Sequence, residues 1–264
     1  MIREKIGKYR ILSWLGGGQF ADVFLALDTI TGAKFALKVS RETREVDRSL
    51  LKEAQLLVSL EHPNIVRFYS ADIIEGRLVL ALEYVEGTSL RELIRKEAPL
   101  TPQEVYPLFS QIKEALQYAH ELGVLHRDIK PENILITKEN RVKLTDFGLA
   151  VLLSRNSLKA SMAGTPLYMP PESWKGRFTI ESDQWSSAAV IYELLSGHPP
   201  FFAETLENLR KLIRRGKIPR IPKVSPEVFE VIEKALSPRP AERFESMEKF
   251  FNAYERAIYI LTPE

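Results

Sequence analysis

The segment His126-Arg127-Asp128-Ile129-Lys130-Pro131-Glu132-Asn133 constrains this chain more than any other part of it. It lies between a helical pattern over residues 101–122 and a short β-rich run over 134–137. Two cations, Arg127 and Lys130, crowd the carboxylate of Asp128 and the amide of Asn133 within these eight residues. Asp146-Phe147-Gly148 follows, with Asp146 thirteen residues beyond Asn133. Groups of this polarity are expensive to bury unless each finds a partner. A loop with a purely structural role explains them poorly; a site that handles charge explains them well.

The rest of the composition narrows what that site serves. At 264 residues, the chain makes one large domain or two small ones, with enough length to bury a core without staples. Hydrophobic residues at 45% and charged ones at 27% fit an ordered, soluble protein. Lys plus Arg is 37 against 35 for Asp plus Glu, a net charge of +2, which argues against a nucleic-acid footprint and a polybasic membrane binder. With no cysteine, disulfides, thiolate metal sites and a cysteine nucleophile are excluded. No apolar run approaches the roughly 18 residues of a membrane span. The opening Met1-Ile2-Arg3-Glu4-Lys5 lacks the apolar core of a signal peptide, so a cytoplasmic location is expected.

Residue patterns divide the chain in two. Residues 9–15, 23–27 and 34–39 are short and β-rich, broken by Gly16-Gly17-Gly18 and Thr31-Gly32. Apolar residues at 3.6-type spacing predict a helix over 44–60, and 65–72 and 78–84 read as strands around Glu75-Gly76. Past Val85-Glu86-Gly87 the character becomes helical. Thr101 caps and Pro102 opens a helix to about Leu122. Short strands are expected at 134–137 and 141–145, and helices at 180–196, 204–215, 226–236 and 244–260.

Other candidates are weak in isolation. The glycines at 16–18 precede a strand-like run, Val23-Phe24-Leu25-Ala26-Leu27, rather than the helix a dinucleotide fingerprint needs. No Gly-Lys-Ser/Thr of a phosphate-binding loop is present. What remains is a β-Gly-β flap whose backbone N–H groups suit phosphates. Lys38, at the end of Phe35-Ala36-Leu37, and Glu53, on the first helix, would by themselves read as surface charges.

Taken together, in this order and spacing, the motifs from Tyr9 to Phe250 resemble the eukaryotic-type (Hanks-type) serine/threonine protein kinases, of the kind bacteria also carry. The resemblance implies an α+β, bilobal protein-kinase-like fold in one domain: a small β-rich N-lobe with one helix (1–85) and a larger, mainly helical C-lobe (86–264). It also implies roles for particular residues. Gly16, Gly17, Gly18 and Val23 would cover the phosphates of ATP, and Lys38 would hold the α- and β-phosphates and pair with Glu53. Asp128 would accept the proton of the attacking hydroxyl, Lys130 would steady the γ-phosphate, and Asn133 and Asp146 would hold Mg2+, or Mn2+ in its place. Val23, Ala36, Leu135 and the backbone of Glu83 to Val85 would line the adenine slot, with Leu82 behind it. Lys130 and Thr165 favour serine and threonine over tyrosine acceptors.

Further roles follow from the same resemblance. Arg127 implies control through the loop between Leu149 and Thr165, with Ser161 ranked first and Ser157 second as phosphorylation sites, and with Arg44 or Arg48 as further partners of the phosphate. Glu172 and Arg243 would form a buried pair, Asp183 would brace the catalytic loop, and Leu57, Phe68, His126 and Phe147 would stack as an apolar column. Many bacterial relatives pair through the small lobe, which makes that lobe a candidate homodimer face. Ala21, Ala188 and Pro170 depart from the usual glycine, glycine and alanine without removing a chemical group. The expected partners are therefore proteins with serine or threonine acceptors. Ser89 stands where an acidic reader of substrate arginine would be, so weak arginine selectivity is expected, with Glu132 and Glu86 left to attract basic peptides. A nucleotide-binding scaffold without activity is the alternative, disfavoured because Lys38, Glu53, Asp128, Asn133 and Asp146 are all present; a small-molecule kinase is a third reading, disfavoured by the peptide-shelf segment 164–172.

Overall fold

In the computed structural model, residues 4–18, 20–43, 55, 57–147 and 166–259 are described. The first part is a six-stranded antiparallel sheet in the order β1-β2-β3-β4-β6-β5. Its strands are β1 (Lys5–Ile6), β2 (Tyr9–Gly17), β3 (Ala21–Asp28), β4 (Lys34–Thr43), β5 (Phe68–Ile74) and β6 (Arg77–Glu83). Alternation gives the sheet two apolar faces. Leu37, Val39, Val79 and Ala81 form a small outer cluster with Ile6 and Tyr9, while Leu78, Leu80 and Leu82 join the main core. The strand expected from residue 65 starts only at Phe68, because Ile65 instead makes a parallel bridge to Leu144. The helix expected over 44–60 lies outside the described residues except for its end, where Leu57 and Leu60 are buried.

The second part hangs from a three-stranded sheet, β7 (Gly87–Ser89), β8 (Ile134–Thr137) and β9 (Val142–Leu144). Gly87 is required where β7 meets β8, since a Cβ there would lie 2.0 Å from the Ile136 carbonyl oxygen. Among the described residues, six helices follow β7: α1 (Leu90–Glu97), α2 (Pro102–Glu121), α3 (Ile180–Ser196), α4 (Leu206–Arg215), α5 (Pro226–Ala235) and α6 (Met247–Tyr259). The expected capping of α2 is present as a full capping box between Thr101 and Glu104. Helix α3 is buried on every side over residues 182–195, so it forms the axis of this part. The two parts are stitched by backbone hydrogen bonds, Leu144 N–H to Asn64 C=O and Val66 N–H to Leu144 C=O, both 2.8 Å. That seam brings the end of β9, and Asp146 just beyond it, under the large sheet. Among the described residues, no helix is long and apolar enough to cross a membrane.

Candidate active site

The loop after α2 is fixed from below by α3. Asp183, in the first turn of α3, accepts the backbone N–H groups of His126 and Arg127, each at 2.9 Å, and lies 2.8 Å from His120 Nε2. Burial pushes the Asp183 carboxyl up, but the His120 hydrogen bond and the Arg127 N–H outweigh it and hold the pKa below the usual range. The positive end of α3 adds to this. These anchors hold Arg127 in the left-handed region, at φ +68°, a conformation that costs about 1–3 kcal/mol unless the surroundings impose it. His126 is fully buried against Phe147, with ring centroids 4.4 Å apart. Burial lowers its pKa and keeps the imidazole neutral.

Above that base the polar side chains converge. Lys130 Nζ lies 2.6 Å from Asp128 Oδ2. Asn133 donates its amide to the Asp128 carbonyl at 2.8 Å and to Asp128 Oδ2 at 2.9 Å. Burial depresses the Lys130 pKa, but Asp128 beside it prevails and raises it. Across the seam, Lys38 Nζ sits 2.6 Å from Asp146 Oδ2. Burial favours a neutral Asp146, yet Lys38, with Lys130 behind it, keeps the carboxyl well below its usual range. Asp146 too is left-handed, at φ +69°. The backbone N–H of Thr145 bonds the Asn133 carbonyl at 3.0 Å, so the two loops are neighbours.

The sheet supplies the roof. In register, Val23 faces Lys38 and Ala36 faces Leu82, which places all four on the inner face of the sheet. Ala36, Val85 and Leu135 are half-buried against the main core, and Leu82 is buried within it. Glu83 receives Lys143 Nζ at 2.8 Å and the Arg67 N–H at 3.0 Å. The flap closes on itself through Gly18 N–H to the Ala21 carbonyl, at 2.9 Å. A Cβ at Gly16 or Gly18 would meet nothing within 4 Å, so packing does not demand glycine at either position. Of the residues expected as a column, all four are buried; Leu57, Phe68 and Phe147 line one small cavity, and His126 lies against Phe147. Arg243 grips Glu172 with two bonds of 2.7 and 2.9 Å. Glu53, Thr165, Ser157, Ser161, Arg44 and Arg48 lie outside the described residues.

Sequence reasoning missed three features. His120 is a lone histidine at the end of α2 whose partner is 63 residues away. Helix α1 was not expected at all, although Ser89, followed by Glu92, is a start signal, and Ser89 does accept the Glu92 N–H. On α1, Arg91 bonds Glu132 at 2.8 Å and Glu193 at 2.7 Å and also donates to the Tyr168 hydroxyl. Burial opposes the charge of Arg91, but these bonds overcome it and raise its pKa. Burial and Glu193 together raise that of Tyr168. Glu132 and Glu86, expected to attract basic peptides, both have partners within the chain: Arg91 and, at 2.6 Å, Lys138.

Comparison with known proteins gives a consistent picture. Residues 9–254 match the family model described as a protein kinase domain. The chain is 36% identical over 253 residues to the serine/threonine-protein kinase PrkC of Bacillus subtilis (strain 168), an alignment covering 92% of this chain and 39% of that protein. It is 35% identical over 251 residues to CBL-interacting protein kinase 21 of Oryza sativa subsp. japonica, covering 91% and 48%. To the probable serine/threonine-protein kinase PknB of Lactococcus lactis subsp. lactis (strain IL1403) it is 34% identical over 234 residues, covering 86% and 37%. The chain thus spans less than half the length of these three relatives.

Proposed function

The chain belongs to the protein kinase family, on its serine/threonine branch, and from that premise we propose that it transfers the γ-phosphoryl group of ATP to serine or threonine hydroxyls of proteins. The observation that carries this reading is the polar knot of Asp128, Lys130 and Asn133 set beside the Lys38–Asp146 pair. Phosphoryl transfer requires little covalent help but much positioning and charge neutralisation. In this reading Asp128 orients the acceptor hydroxyl and takes its proton at a carboxylate oxygen. Lys130, already fixed on Asp128, steadies the transferring group, and Lys38 holds the other phosphates. The open space over Gly16 and Gly18 suits close approach of phosphate to backbone. Val23, Ala36, Leu135 and the backbone of Glu83 to Val85 line the adenine slot, with Leu82 behind it, and residues 1–264 act as one kinase domain whose lobes meet near Val85.

The donor set fits a hard divalent cation such as Mg2+. Asp146 is held ionised, and Asn133, whose amide hydrogens are committed to Asp128, has its carbonyl oxygen left to offer. Among the described residues, no group of three or more His, Asp or Glu side chains makes a closed metal site. Two protein ligands and a remainder from phosphate oxygens is the usual arrangement for Mg2+. When bound, the ion would neutralise charge building on the phosphate oxygens.

Regulation is proposed at Ser161, with Ser157 second. A phosphate there would bring about −2 charge to Arg127, whose guanidinium is exposed and rests over the Phe178 ring, 5.6 Å from its centroid. Incubation with radiolabelled ATP, Mg2+ and casein or myelin basic protein tests the central reading. Label on serine or threonine that depends on Asp128 supports it. Nucleotide binding without any transfer supports the inactive-scaffold alternative instead.

A further inference from the structure

A cleft of about 530 Å³ opens beside Asp128, between the catalytic loop, α1 and α3. Its charged walls are Arg91, Arg95, Arg127 and Lys130 against Asp128, Glu132 and Glu193. Each of the carboxylates is already engaged. Lys130 occupies Asp128. A single guanidinium, Arg91, holds the other two: Nε donates to Glu132 and Nη1 to Glu193, while Nη2 donates to the Tyr168 hydroxyl, which in turn donates to Glu193. Glu193 is 5% exposed and Arg91 18%, so the inner half of the knot is withdrawn from solvent, while Glu132, at 48%, faces the cleft. Arg95 and Arg127, by contrast, are exposed and form no salt bridge among the described residues.

We propose that Arg91 is a specificity-determining residue: it fills, from within the chain, the acidic subsite beside Asp128, so that acceptor peptides flanked by acidic side chains are preferred over those flanked by arginine or lysine. The inference rests on the proposed phosphoryl transfer and names the class of acceptor for it. A substrate arginine would have to displace Arg91 from two carboxylates and a phenol, leaving a half-buried guanidinium without partners. Engaged as it is, the trio of Arg91, Glu132 and Glu193 keeps one net negative charge, Lys130 and Asp128 cancel, and the exposed Arg95 and Arg127 leave the cleft with one net positive charge. Like-charge contact rejects the wrong partner more effectively than a neutral wall does.

The contacts of Arg91 also tie α1 to α3, a structural role that would affect stability but not the choice of peptide. A positional library of serine peptides, with glutamate, alanine or arginine at each position within three residues of the acceptor, separates the two. The wild-type protein, Arg91→Ala and Arg91→Met, which keeps the apolar stem, are compared by kcat/KM. Wild type is expected to favour glutamate over arginine by about tenfold at one or more of these positions, and the variants to shift toward arginine by a similar factor. Wild-type selection for arginine overturns the proposal, whether or not the variants fold. Variants with the wild-type profile overturn it as well, leaving Arg91 structural. If neither variant folds, the wild-type profile alone decides: glutamate preference upholds the proposal and its absence overturns it. Absence of transfer to every peptide, alanine-flanked ones included, removes the proposed function itself, a result distinct from a skew among peptides.

Discussion

The loop carrying Asp128 and the flap carrying Gly16 to Gly18 are built in opposite ways. The loop is clamped by a buried carboxylate, Asp183, through two backbone N–H groups and a histidine, and it tolerates a left-handed Arg127 as a result. The flap is held by its own hairpin and by an exposed pair, Arg41 to Asp22 at 2.7 Å, which draws the Asp22 pKa down. One side is fixed where chemistry needs geometry to within a fraction of an ångström; the other is left light where a ligand must enter and leave. The buried clamp should therefore be sensitive to single substitutions, and the flap should not.

Breaking the clamp is the largest expected effect. Asp183→Ala strands two backbone N–H groups and His120, and should lower unfolding free energy by roughly 3–5 kcal/mol. Turnover of any variant that still folds should drop by about 100-fold through misplacement of Asp128. Urea unfolding together with steady-state rates measures both, and a variant as stable and active as wild type would show that the clamp is idle.

The next effect is in pH. His126 is buried neutral, with its pKa below the ordinary 6.5. Between 6.5 and the folded value, the unfolded chain takes up a proton that the folded one refuses. The stability this residue contributes is present above pH 6.5 and lost as pH falls below it, at most about 1.4 kcal/mol per pH unit. The half-buried His62 acts with the same sign. His126→Phe should keep the stack on Phe147 and flatten the slope of stability between pH 6.5 and 5. Equal slopes in the two proteins would refute the assignment.

The smallest effect belongs to the flap. Arg41→Ala removes an exposed ion pair, of the kind that contributes little to stability. Its unfolding midpoint should stay within error of wild type, while ATP dissociation becomes modestly faster. A large loss of stability would show that the flap is braced like the loop, and the contrast would fail.

What was legible in the sequence follows the same division. Asp128, Lys130 and Asn133 could be read because their partners lie within five residues of one another, and Asp146 because it follows at fixed spacing. Helix α2 could be read from its cap, and α3 runs over the expected residues 180–196. His120 and Arg91 could not, since neither shows its role until folding brings it to partners 63 and 102 residues away. The strands β1 and β7, two and three residues long, are set by pairing rather than by pattern. Ile65 reads as strand by composition but is taken by the seam to Leu144.

Asp128→Asn gives the most direct test of phosphoryl transfer by this site. The substitution keeps the shape of the loop and leaves Lys38 and Asp146 untouched. Turnover on a protein acceptor and ATP affinity by calorimetry, both with Mg2+, should be measured side by side. Turnover is predicted to fall by about 100-fold or more while ATP affinity stays within a few-fold of wild type. Equal turnover in the two proteins would contradict the account.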